Sequence, residues 1–120
     1  MSVTQSPARS KLPIIPLRFK TTSQLYKSFM PWFSNGGLFI PTAKRFKMGQ
    51  EVLMMVILPE QTDKYPAVGV VSWVSPINAT GHKKQGIGVA FTDQEGVALR
   101  FRIEELLADK AHSNAPTYTL

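Results

Sequence analysis

The chain has 120 residues, a formal net charge of +6 and no cysteine. That length suits one domain, large enough to bury a modest core unaided, and the missing thiols exclude disulfides, thiolate metal sites and cysteine nucleophiles together. The bases are unevenly spread: Arg9, Lys11, Arg18, Lys20, Lys27, Lys44, Arg45 and Lys47 all precede the first carboxylate, Glu51. One end of the molecule should therefore carry a positive field suited to an acidic protein, a nucleotide or a nucleic acid.

Residues 1–11 are polar and read as a disordered basic arm, with no apolar stretch of the signal-peptide kind. The longest apolar run, residues 52–58, is too short to span a bilayer, so a soluble cytoplasmic protein without direct membrane insertion is expected. The folded domain is expected over residues 12–110. Its first strand candidate holds Ile14, Ile15, Leu17 and Phe19 between prolines, which places it at a sheet edge or a strand start. Residues 21–30 are ambiguous. Thr22 or Ser23 is placed to cap a short helix carrying Leu25, Tyr26 and Phe29 and ended by Pro31, and an irregular extended segment is the alternative.

Gly36 and Gly37 open a strand over residues 38–41, and a basic turn over 44–50 follows, with Gly49 suited to positive φ. The continuous apolar run 52–58 predicts a strand covered on both faces. Residues 67–75 form a β-branched run with Trp73, read with Phe39 and Phe91 as core. After a polar hairpin loop over 76–84, residues 86–91 alternate Ile87, Val89 and Phe91 with Gly88 and Ala90, as on a strand whose small side faces something close. The period then changes. Thr92-Asp93-Gln94-Glu95 predicts a capping box with Thr92 as the cap, and Leu99, Ile103, Leu106 and Leu107 share one helical face while Val97 and Phe101 fall on another. The helix should fade near Asp109, leaving a polar tail over 111–120. The fold class is mainly β: a small antiparallel β-barrel closed by a C-terminal helix.

Chemistry has little to work with. His82 and His112 stand in a loop and a tail without partners at triad or metal-ligand spacing, and Glu104 and Glu105 share their helix with Arg100 and Arg102, the mark of a solvated face. No enzyme, cofactor or metal site is expected. A small basic barrel also suits a nucleic-acid-binding fold, but no strand alternates aromatics with Lys or Arg as base stacking requires.

Three segments carry a resemblance. Asn35-Gly36-Gly37-Leu38-Phe39-Ile40-Pro41-Thr42 is similar to the glycine-bearing first barrel strand of PilZ domains. Val68-Gly69-Val70-Val71-Ser72-Trp73-Val74 is similar to their central strand ending in tryptophan, and Gln85-Gly86-Ile87-Gly88-Val89-Ala90-Phe91 to their G-I-G-V-x-F strand before a helix. More narrowly, Leu25-Tyr26, Phe29-Met30-Pro31 and the ending Ala115-Pro116-Thr117-Tyr118-Thr119-Leu120 resemble the PilZ proteins of type IV pilus assembly.

The departures bear on the ligand. PilZ domains that bind cyclic di-GMP carry R-x-x-x-R and a later D/N-x-S-x-x-G, because paired guanidiniums grip phosphate and stack on guanine while short polar groups read the base edge. Here no arginine has another four residues on, and the second motif survives only as Ser34 and Gly37, with Trp32 at the acid or amide position. The resemblance implies a monomeric, non-enzymatic adaptor in twitching motility whose partners are the hexameric pilus-assembly ATPase and an EAL-domain receptor for cyclic di-GMP. A cyclic-di-GMP effector with a degenerate site is the alternative, and a nucleic-acid-binding barrel the second.

The partner-binding candidates are Tyr26, Phe29, Met30, Trp32, Phe33, Phe101, Pro116 and Tyr118. Six large apolar residues crowd positions 25–33 with neither a strand nor a helix period, so one face of one element cannot bury them all. Tyr26 is expected as a contact and Trp32 largely as a plug of the barrel mouth.

Overall fold

The computed structural model describes residues 11–75 and 85–110. The basic arm, the hairpin loop over 76–84 and the C-terminal tail with Pro116 and Tyr118 were all expected on segments that lie outside the described residues, save Lys11 of the arm. In chain order the elements are β1 (Ile14–Arg18), α1 (Thr22–Ser28), β2 (Gly37–Pro41), β3 (Glu51–Ile57), β4 (Lys64–Ser75), β5 (Gly86–Phe91) and α2 (Gln94–Lys110).

The strands form one curled half-barrel sheet in the order β1-β3-β4-β5-β2, with α2 packed on it through β4. Mainly β with a C-terminal helix is thus the observed class. The barrel is open, however, and one pair departs from the antiparallel expectation: β1 runs parallel to β3, Ile14 opposite Leu53 and Arg18 opposite Ile57. A parallel pair needs a long crossover, which the stretch containing α1 and β2 supplies.

β1 lies at the sheet edge, as its prolines predict. The Leu53 N–H donates to the Pro13 carbonyl at 2.9 Å and the Phe19 N–H to the Ile57 carbonyl at 3.0 Å. Positions 13, 15, 17 and 19 therefore face β3, and Pro16 turns its missing N–H to the open edge, where it blunts pairing with another strand.

β3 corrects the two-face reading. Val52, Met54 and Val56 are fully buried, whereas Leu53, Met55 and Ile57 on the outer side are only half-buried. β4 has a register shift between Val71 and Trp73, with the Ser72 hydroxyl donating to the Val70 carbonyl at 3.1 Å. This irregularity carries Trp73 to the outer face and leaves it 48% exposed. The core reading of Trp73 fails there, because a bulge re-aims the side chains beyond it. Phe39, also read as core, is half-buried on the outer face, and Phe91 is buried.

Both helices start one residue away from the expected caps. Thr21 caps α1: its hydroxyl accepts from the Gln24 N–H at 3.0 Å, while the Gln24 side chain accepts from the Lys20 N–H at 2.8 Å. Asp93 caps α2, accepting from the Gly96 N–H at 2.8 Å. Thr92 is diverted into the sheet, where its hydroxyl donates to the Val68 carbonyl at 3.3 Å. A carboxylate is the better acceptor at the positive end of a helix, so the cap moves by one. Leu99, Ile103 and Leu107 turn into the core with Leu25 and Phe29 from the α1 side, and Leu106 is partly buried beside them.

Candidate functional site

The surface built around the 29–37 segment begins with backbone pairing. Phe29 bridges Leu38, and the Met30 N–H donates to the Gly37 carbonyl at 2.9 Å. The Gly36 N–H donates to the Phe33 carbonyl at 2.9 Å, closing a tight loop in which Gly36 holds φ at +80°. A left-handed conformation of this kind favours glycine. The Gly36 carbonyl accepts from the Phe91 N–H at 2.9 Å, and the Asn35 amide donates to the Phe91 carbonyl at 3.4 Å. From α2, the Arg100 guanidinium donates to the Ser34 carbonyl at 2.9 Å and pairs with Glu104 at 3.1 Å. The loop is thus stitched to β5 and to α2 at once.

This frame sorts the six apolar residues of positions 25–33. Leu25, Phe29 and Met30 are buried, Tyr26 is half-buried against the core, Phe33 is half-buried, and Trp32 is 52% exposed. Two expectations need correction. Phe29 and Met30 are unavailable as partner contacts, since pairing with β2 buries both, Phe29 in the core and Met30 over Gly88 on the outer face. Trp32 does not plug the sheet, because it sits in the turn beyond that pairing. Its ring instead tilts against Phe33, centroids 6.2 Å apart.

Glycines explain what does the covering. A Cβ on Gly88 would lie 2.8 Å from the Trp73 Cβ and 2.9 Å from the Met30 Cε. One on Gly37 would lie 2.7 Å from Phe33 Cδ2, and one on Gly86 2.7 Å from Phe39 Cζ. The small side of β5 therefore faces something close, as its alternation predicts: Met30 fills the recess, flanked by Trp73 and Phe39. The row containing Gly37 and the row containing Gly88 are two residues apart, about 7 Å along the strand. Phe33 over Gly37 and Trp73 over Gly88 thus lie on the outer side of β2, β5 and β4, with Trp32 against Phe33. The Trp73 indole N–H donates to the Ser75 hydroxyl at 3.0 Å, which fixes that ring.

The residual nucleotide motif lies in this same loop. Ser34 is exposed, but its carbonyl is taken by Arg100. Gly37 is capped by Phe33, and Trp32 projects outward. Phe101 stands apart: it is 61% exposed on α2, beside a shallow hollow with Ala98, Arg102 and Glu105. The structure does not bring it to the aromatic surface.

Two participants escaped the sequence reading. Trp73 was hidden because a bulge leaves no clear mark in a β-branched run. Arg100 was hidden among the charges of a face read as solvated. Among the described residues, no three His, Asp or Glu side chains gather as a metal site, and no helix is long and apolar enough to cross a membrane.

No curated protein sequence matches the chain. The family model described as PilZ domain matches residues 9–109, so the chain belongs to the PilZ domain family, whose members are typically non-enzymatic binding domains linked to cyclic-di-GMP signalling.

Proposed function

We propose that this chain is an adaptor in type IV pilus assembly and twitching motility, relaying cyclic-di-GMP signals by protein contact and holding little or no dinucleotide itself. The observation that carries this reading is the exchange at positions 32–37. The arginine pair is missing, Phe33 packs over Gly37, Arg100 holds the Ser34 carbonyl, and Trp32 and Trp73 are exposed aromatics. Exposed aromatics on a rigid frame are the usual anchors of protein interfaces.

The partner assigned to this surface is the hexameric pilus-assembly ATPase. The EAL-domain receptor for cyclic di-GMP is assigned to the C-terminal tail with Pro116 and Tyr118. In this scheme the adaptor works in the cytoplasm as a monomer and is brought to the inner-membrane machinery by its partners. The degenerate-effector reading rests on family membership alone.

Three measurements test the scheme. Titration of purified protein with cyclic di-GMP in a calorimeter should give no isotherm in the low-micromolar range, and a clear one would restore the effector reading. Trp32→Ala and Trp73→Ala should each weaken ATPase binding by about 2–4 kcal/mol, the range for interface anchors, and Trp32→Ala should leave the melting temperature unchanged. Deleting residues 111–120 should weaken EAL binding and spare the ATPase. Full ATPase binding by both tryptophan variants would remove the aromatic surface from the scheme.

A further inference from the structure

The loop joining β2 to β3, residues 42–50, combines charge, an apolar tip and a braced backbone. Lys44, Arg45 and Lys47 are exposed, and Met48 between them and β3 is 63% exposed, as open as any large apolar side chain among the described residues. The Lys44 N–H donates to the Thr42 hydroxyl at 3.1 Å, and the Lys47 N–H to the Gln50 side-chain carbonyl at 3.1 Å. The Gln50 N–H donates to the Lys47 carbonyl at 3.0 Å and the Gly49 N–H to the Val71 carbonyl at 2.8 Å. Gly49 holds φ at +85° with open space around it. Phe46 is turned inward and packs on the core. The tip is therefore held in place while its cations and its methionine point to solvent.

One further cation lies at this end of the molecule. Because Leu53 bonds to Pro13, Lys11 lies at the end of the sheet where β3 begins. Glu51 is the nearest carboxylate along the chain, whereas Glu60 and Asp63 follow β3 at its far end. The hollows between β1 and β3 and beside α2 do not include this loop.

We infer that the 42–50 loop is a docking point for an anionic bilayer surface, with Lys44, Arg45 and Lys47 against lipid phosphates and Met48 entering the headgroup layer. Charge complementarity selects the partner, and shape narrows it. A convex tip with one flexible apolar side chain among cations needs no matching pocket, only a plane that is negative outside and apolar beneath. Nucleic acid fits less well, since the loop's aromatic, Phe46, is turned away from any base. This inference goes beyond the adaptor scheme and does not depend on it.

The test is sedimentation of the full chain with vesicles of phosphatidylcholine, pure or mixed with phosphatidylglycerol. Binding should require the anionic lipid and weaken with salt. Replacing Lys44, Arg45 and Lys47 together by glutamate should cut the partition coefficient by about a hundredfold or more, since each cation near such a surface contributes roughly a factor of five. Met48→Ser should lower it severalfold and leave the salt dependence in place. All four side chains are exposed, so the melting temperature should hold. Should the triple variant fail to fold, Met48→Ser and the salt series on the unaltered chain still decide. Equal binding to neutral vesicles, no binding, or loop variants that bind unchanged would each overturn the inference. So would a loss confined to the charge variant and reproduced with polyglutamate in place of vesicles, which would mark an acidic macromolecule as the partner.

Discussion

On the outer side of the sheet, β1 and β3 cover themselves with their own side chains, while β5 presents glycine and is covered by others. Ile14, Leu53, Met55 and Ile57 make a half-exposed aliphatic wall, with a groove of about 340 Å³ beside Pro16, Arg18 and Lys64. Over Gly86 and Gly88 the cover comes from Met30, Phe39 and Trp73, residues of three other segments. A strand without side chains of its own leaves a recess into which distant segments pack, here with Met30, Phe39 and Trp73. Packed aromatics lose little conformational entropy when a partner docks, which is why the proposed scheme assigns the partner to the second half of the outer face.

That contrast predicts unequal responses to small substitutions. The largest effect is expected at Gly86, where an added Cβ would sit 2.3 Å from the Ile40 carbonyl oxygen. Backbone must then shift, and Gly86→Ala should cost about 1–3 kcal/mol in chemical denaturation. Gly88→Ala should cost less, because the atoms it would meet, the Trp73 Cβ at 2.8 Å and the Met30 Cε at 2.9 Å, belong to side chains and lie farther away than the Ile40 carbonyl does from Gly86. If the two cost the same, the recess is not filled in the way described.

A middle-sized effect is expected at Arg100. Arg100→Ala removes the donor to the Ser34 carbonyl and a partly exposed ion pair with Glu104. The stability loss should be about 1 kcal/mol, most of it from the hydrogen bond. Loosening the loop should also weaken ATPase binding while Trp32 itself is intact. A variant that loses stability but binds the ATPase at full strength would break the link between rigidity and docking. The smallest effect is expected on the self-covered half: Met55→Ser should cost under about 1 kcal/mol, since that side chain is only partly withdrawn from water, and should leave ATPase binding unchanged. Equal binding losses on both halves would erase the comparison.

Much of this was legible in the residues. The core face of α2 followed from the spacing of Leu99, Ile103 and Leu107, the edge position of β1 from its prolines, and the close approach to β5 from its alternating glycines. Local rules sufficed there, because period, proline and glycine act on neighbours within a turn or a strand. The parallel pairing of β1 with β3 was not legible, since strand direction depends on where a long crossover returns.

The contents of positions 25–33 show the same division. Their crowding announced that some apolar side chains must stay outside. Which ones did so was decided by the Phe29–Leu38 bridge and the Met30–Gly37 bond between neighbouring segments, and by the Arg100–Ser34 clamp from the far end of the chain. Composition and spacing determined a small β domain with a helix at its end and a basic first half. Only the tertiary structure buried Met30 over Gly88, left Trp32 exposed and turned Trp73 over a bulge to the surface. Burial is settled by what the rest of the chain brings to a position, and a residue's own neighbours do not carry that information.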